Sequence, residues 1–158
     1  MNVEEVSATV VDAAFHLYKD LGPGLLESVY EAVLARVLER RGLLVECQKS
    51  VAFDFDGMQF NECLRVDLLV EGCLVVELKS VENLAPVHPK QLLTYLRLLK
   101  LPLGLLINFG APTFKEGVKR IVNNHTDFAS SRLRVNKSKE QPQPPPSPPR
   151  SSHTCRTS

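Results

Sequence analysis

The sequence predicts an α/β fold, and three observations predict it. Residues 3–41 carry apolar side chains at helical spacing, broken once by Leu21-Gly22-Pro23-Gly24. Residues 44–81 read as strand-like segments divided by turn residues. A further helix at 86–100 leads into Leu103–Phe109, a segment that is apolar nearly throughout. The element order is α-α-β-β-β-α-β-α.

The first helix covers 3–20, where Val3, Val6, Val10, Ala14 and Leu17 fall on one face. Pro23 and two glycines form a rigid corner. The second helix spans about 25–41 and ends at Gly42. Strands follow at 44–55 and 58–70, joined at Asp56-Gly57, a hairpin turn signal. A third strand covers 74–81. The helix at 86–100 has proline in its first turn, where no backbone donor is missed. Residues 103–109 suit a strand covered on both faces. Residues 114–124, Phe-Lys-Glu-Gly-Val-Lys-Arg-Ile-Val-Asn-Asn, are expected to form a last short helix.

The 158 residues suit one domain, and the 44% hydrophobic content suffices for one core. The expected division is a folded domain at 1–128 and a disordered, Pro/Ser-rich basic tail at 129–158. Charge divides at the same place. Residues 1–128 hold 13 basic and 17 acidic side chains, a net of −4, whereas 129–158 hold six basic and one acidic, a net of +5. The domain is therefore not a broadly basic nucleic-acid binder. No apolar run approaches the ~18 residues of a membrane span, so no membrane association is expected. The acidic start, without a basic region before an apolar segment, argues against a signal peptide and for a cytoplasmic protein. Cys47, Cys63, Cys73 and Cys155 form no Cys-x-x-Cys pair. Free thiols in a reducing compartment fit better than zinc, with the first three as packing residues in strands or turns.

The chemistry concentrates in Arg65–Ser80. Successive strand side chains alternate faces, so Arg65, Asp67 and Leu69 share one face and Val75, Glu77 and Lys79 share another. A two-residue loop at Glu71-Gly72 would put Asp67 and Glu77 on opposite sides of the sheet. A three-residue loop, Glu71-Gly72-Cys73, opposes them directly, with Cβ atoms about 5 Å apart. Opposed carboxylates repel, and a divalent cation such as Mg²⁺ or Mn²⁺ resolves the repulsion. Lys79 adds a cation on the same face. Together these are the means of metal-assisted phosphodiester hydrolysis. The competing account is a solvent-facing sheet carrying a Glu-Lys ion pair.

Two helices add candidates. Glu27 lies on the apolar stripe with Tyr30 and Leu34, either as a further metal ligand or as a well-placed acid in a helix's first turn. His88, Gln91 and Tyr95 share a face of the later helix. Gln91 and Tyr95 suit a phosphate backbone or support of Lys79; His88 equally suits a bond to the helix N-terminal backbone. No Gly-x-Ser-x-Gly or phosphate-cradling glycine loop is present.

Gly24, Glu27 and Tyr30 spell G-x-x-E-x-x-Y. With the segments around Asp67, Glu77–Lys79, His88–Leu98, Leu103–Gly110 and Gly117–Asn123, the chain over about 3–124 resembles the GxxExxY protein family of the PD-(D/E)XK nuclease superfamily. The resemblance implies a restriction-endonuclease-like core (α-β-β-β-α-β) with an extra N-terminal helix and a C-terminal helix. It implies catalytic Asp67, Glu77 and Lys79, a metal held by Glu27, Asp67 and Glu77, and substrate-binding or supporting roles for Gln91 and Tyr95, with Tyr30 and His88 beside them. Val66 stands where the motif has proline. The expected activity is metal-dependent cleavage of nucleic acid, DNA ahead of RNA. A homodimer or protein partner would supply basic surface. The opposing class is a non-catalytic binding or scaffold module on the same fold.

Overall fold

The computed structural model describes residues 1–124 and 133–134. Helix α1 (Val3–Leu21) opens with a capping box: the Asn2 side chain accepts the Glu5 N–H, and the Glu5 carboxylate accepts the Asn2 N–H. Val6, Val10, Ala13, Ala14 and Leu17 are its buried face. It ends at Gly22, whose φ of 69° suits glycine. Helix α2 (Glu27–Arg40) follows the corner and buries Tyr30, Leu34, Ala35 and Leu38.

Strands β1 (Val45–Phe55) and β2 (Met58–Val70) form a long antiparallel hairpin about Asp56-Gly57. Both turn residues have positive φ, as the expected tight turn requires. Strand β3 (Leu74–Lys79) pairs antiparallel with β2. Helix α3 (Val87–Leu99) then crosses over to β4 (Leu103–Asn108), which lies parallel to β3. All six residues of β4 are buried, as its apolar sequence predicts.

The last expected helix is a correction. Only Phe114–Gly117 is helical (α4); Val118–Val122 is a strand, β5, antiparallel to β4. Val118, Ile121 and Val122 are spaced i, i+3 and i+4, which imitates a helix. Yet Val118 packs with the α1/α2 core and Ile121 with the α3 core, so they face opposite ways, as in a strand. These β-branched residues complete the unpaired edge of β4. Gly117 makes the turn feasible, because a Cβ there would stand 2.4 Å from the Asn108 carbonyl oxygen.

The sheet order is β5-β4-β3-β2-β1-β6, where β6 is the two-residue Leu133–Arg134 beside the tip of β1. Apart from β6, the expected tail at 129–158 and its boundary at 128 lie outside the described residues. Helices α1 and α2 cover one face of the sheet over Leu68, Val70, Val76, Leu78, Leu105 and Ile107. Helix α3 covers the other over Val66, Leu69, Val75 and Leu106. Among the described residues no helix is long and apolar enough to cross a membrane. Cys47, Cys63 and Cys73 are free thiols, but Cys47 and Cys63 are not packing residues. They lie in stretches of the hairpin, 47–49 and 61–63, that are exposed throughout.

Candidate active site

Residues 71–73 form the three-residue loop between β2 and β3. Val70 pairs with Leu74, Leu69 with Val75 and Leu68 with Val76. One more step in that register would oppose Asp67 to Glu77, as the alternation argument expects, but the pairing does not reach them. Glu71 and Gly72 take positive φ, 51° and 62°, which closes the loop. Paired residues end at Leu68–Val76. The Leu78 N–H instead donates to Asp67 Oδ2 at 2.8 Å. The strand also turns over here: Val66 belongs to the α3 core and Leu68 to the α1/α2 core, although two residues along a regular strand share a face. Asp67 is thus held where β2 departs from β3.

Glu77 is 4% exposed, and its Oε1 has no hydrogen-bond partner. Burial, and then the neighbouring charge of Asp67, pushes its carboxyl up to about 8. Lys79 offsets part of this, with Nζ 3.8 Å from Glu77 Oε2. A buried carboxylate oxygen without a partner is costly, and either a proton or a cation relieves that cost. By that test the residues fit a divalent ion. The site is not a finished cage: among the described residues, no three acidic, histidine or cysteine side chains converge on one point.

Glu27 stands at the far end of β3, where its Oε1 accepts the Ser80 N–H at 3.2 Å. The Ser80 hydroxyl donates to the Leu25 carbonyl at 2.6 Å. The Gly24–Glu27 corner is therefore pinned to the residue that follows Lys79. Tyr30 braces that corner from inside: its hydroxyl donates to the Gly22 carbonyl at 2.5 Å and accepts the Leu25 N–H at 3.3 Å, while its ring stacks on Phe109 at 4.2 Å. Gln91 Nε2 donates to the Tyr95 hydroxyl at 2.8 Å, with Tyr95 buried and Gln91 exposed. His88 Nδ1 accepts the Ala85 N–H at 3.2 Å and secures the start of α3. The hydrogen bonds of these three residues run to each other and to Ala85, not to the acids.

Three residues escaped sequence reasoning. Glu31, one turn beyond Glu27, accepts from Gln48 Nε2 at 2.6 Å; the same nitrogen lies 3.5 Å from Asp67 Oδ1. Burial, then the Asp67 charge, raises the Glu31 carboxyl, against the lowering effect of the Gln48 bond. The i, i+4 spacing of Glu27 and Glu31 was a readable signal. Asn108, the lone polar side chain of β4, bonds both the N–H and the carbonyl of Val81 and accepts the Gly110 N–H. It fixes the chain just past Lys79 and Ser80. Nothing in the sequence singled out Gln48.

A family model described as PD-(D/E)XK nuclease superfamily matches residues 4–121. The chain belongs to the PD-(D/E)XK nuclease superfamily. The observed α2-β1-β2-β3-α3-β4 succession agrees with a restriction-endonuclease-like core, preceded by α1 and followed by α4 and β5. Neither a curated protein nor a solved structure matches this nuclease-superfamily chain.

Proposed function

We propose that this superfamily member is a Mg²⁺- or Mn²⁺-dependent nuclease, with GxxExxY-family character. The observation that carries the reading is the buried, unpartnered Oε1 of Glu77, close to Asp67 and flanked by Lys79. Asp67 and Glu77 would hold the cation, with Glu27 as a further acid from α2. The bound cation would lower the pKa of water and neutralise phosphate charge. Lys79 would orient the attacking water and offset charge that develops on the phosphate. Glu77 supplies a carboxylate that a cation would keep ionised near neutral pH. Gln91 would offer an exposed amide on α3 to substrate, steadied by the buried Tyr95 hydroxyl, while Tyr30 and His88 would support through the backbone.

The net charge of −4 over residues 1–128 gives little unaided attraction to phosphate. A dimer or protein partner would supply basic surface, with DNA ahead of RNA as substrate. The free thiols Cys47, Cys63 and Cys73 agree with action in the cytoplasm.

The second reading is a binding or scaffold module on the same fold. It draws on one observation: Asp67 and Glu27 already accept backbone N–H groups, and no three ligands converge. Purified protein incubated with single- and double-stranded DNA and RNA, in Mn²⁺, Mg²⁺ or EDTA, separates the two. Metal-dependent cleavage lost in both Glu77→Ala and Lys79→Ala is expected. No cleavage of any substrate, with melting unchanged by metal, would move the assignment to the binding module.

A further inference from the structure

The candidate Asp67 carboxylate is restrained from one side by β3, through the Leu78 N–H on Oδ2 at 2.8 Å. One such contact fixes one oxygen and leaves the group free to swing about it. The opposite oxygen, Oδ1, faces the Gln48 amide at 3.5 Å. That contact is long, and weak as a bond. The amide is nonetheless a fixed object, because the same nitrogen donates to Glu31 Oε2 on α2 at 2.6 Å. Asp67 is thereby enclosed between a strand and a helix by way of one side chain.

The backbone of Gln48 carries the second observation. Cys47 pairs with Leu68 and Lys49 with Val66, so Gln48 is the residue opposite Asp67 in the β1–β2 ladder. Its φ is 51°, in the left-handed region that an L-residue enters at a cost and glycine enters freely. Gln48 is also exposed, so no burial of its side chain offsets the strain. Strained residues persist where the surroundings need them and gather at functional sites. Here the strained residue stands against the acid at which β2 turns over. What glutamine has and glycine lacks is the amide that joins Glu31 to Asp67.

We propose that Gln48 is a positioning residue: anchored by Glu31, it limits the orientations of the Asp67 carboxylate and so presets it for the cation. The inference rests on the cation-site reading above. It does not make Gln48 a ligand or a catalytic group. Partners behind a metal-binding side chain typically set its affinity by about ten- to a hundredfold, which gives the scale expected.

The test is calorimetric titration of Mn²⁺ into the full chain, with melting temperatures measured beside it. The variants are Gln48→Gly, Gln48→Ala, Glu31→Gln and Glu77→Gln. Both Gln48 variants remove the amide, but only glycine relieves the backbone. Mn²⁺ affinity is therefore expected to fall about tenfold in both, while Gln48→Gly melts above Gln48→Ala. Glu31→Gln weakens the anchor and is expected to lower affinity by a smaller factor. A merely structural role for Gln48 predicts that affinity follows melting temperature instead, so normal affinity in Gln48→Gly overturns the proposal. Unchanged affinity in both Gln48 variants, with binding lost in Glu77→Gln, overturns it and leaves the cation site standing. No Mn²⁺ binding by the unaltered chain removes the cation site and this proposal together.

Discussion

Strands β3 and β4 lie side by side in register, and each buries one polar side chain near its C-terminal end. Glu77 pairs in register with Leu106, and Lys79 with Asn108. Asn108 is 2% exposed and Glu77 4%. Their surroundings differ. Asn108 uses both ends of its amide, bonding Val81 twice and Gly110 once, at 2.8–3.1 Å. Glu77 keeps an oxygen with no partner and an ion pair at 3.8 Å with Lys79. A buried polar group that is fully bonded fixes structure. A buried carboxylate that is not fully bonded destabilises the metal-free fold and calls for a ligand. Asn108 thus fixes the chain beside the site, whereas Glu77 is left open to a ligand.

Breaking the satisfied side should have the largest effect. Asn108→Leu removes three hydrogen bonds and leaves the Val81 and Gly110 N–H groups seeking partners. Urea unfolding is expected to show a loss of about 3 kcal/mol.

The unsatisfied side should respond in the opposite direction. The Glu77 carboxyl is raised from 4.5 to about 8 in the folded chain. Between those values the folded state holds a proton that the unfolded state has released. Metal-free stability therefore falls as pH rises through that window and levels off above about 8. Glu77→Gln removes the dependence. It is expected to stabilise the metal-free protein by about 2 kcal/mol at pH 8, with the gain vanishing below about 4.5, where glutamate is protonated in both states. Denaturation midpoints of both proteins across pH 4–9 measure this.

A smaller effect sharpens the boundary between the two roles. Ser80 joins the β3 end to the α2 corner through the Leu25 carbonyl. Ser80→Ala is expected to cost about 1 kcal/mol and to lower Mn²⁺-dependent cleavage through a shifted Glu27, with no change in the pH dependence that belongs to Glu77. Thermal melts and a cleavage titration against Mn²⁺ check both parts.

The β2–β3 register was legible because alternation has a period of two and the loop had to be odd to oppose the acids. Glu77 and Lys79 could be placed on one face for the same reason. That Glu77 is buried could not be read, since the cover over a strand side chain comes from long-range packing. Strand β5 was misread because Val118, Ile121 and Val122 fall at helical spacing, and the open edge of β4 overrode it. Gln48 and Glu31 meet Asp67 from β1 and α2, 19 and 36 positions away in sequence. No local pattern encodes that meeting. Asn108 could have been noticed as an isolated amide in an apolar strand, but its partner Val81 lies across the α3 crossover.

Glu77 is a buried carboxyl whose ionised form is costly until a cation binds it. The most direct measurement is the melting temperature of the unaltered chain and of Glu77→Gln at pH 8, each with and without Mn²⁺. Mn²⁺ is expected to raise melting in the unaltered chain by several degrees. Glu77→Gln is expected to start higher and not respond. An equal rise in both proteins, or none in the unaltered chain, would contradict it.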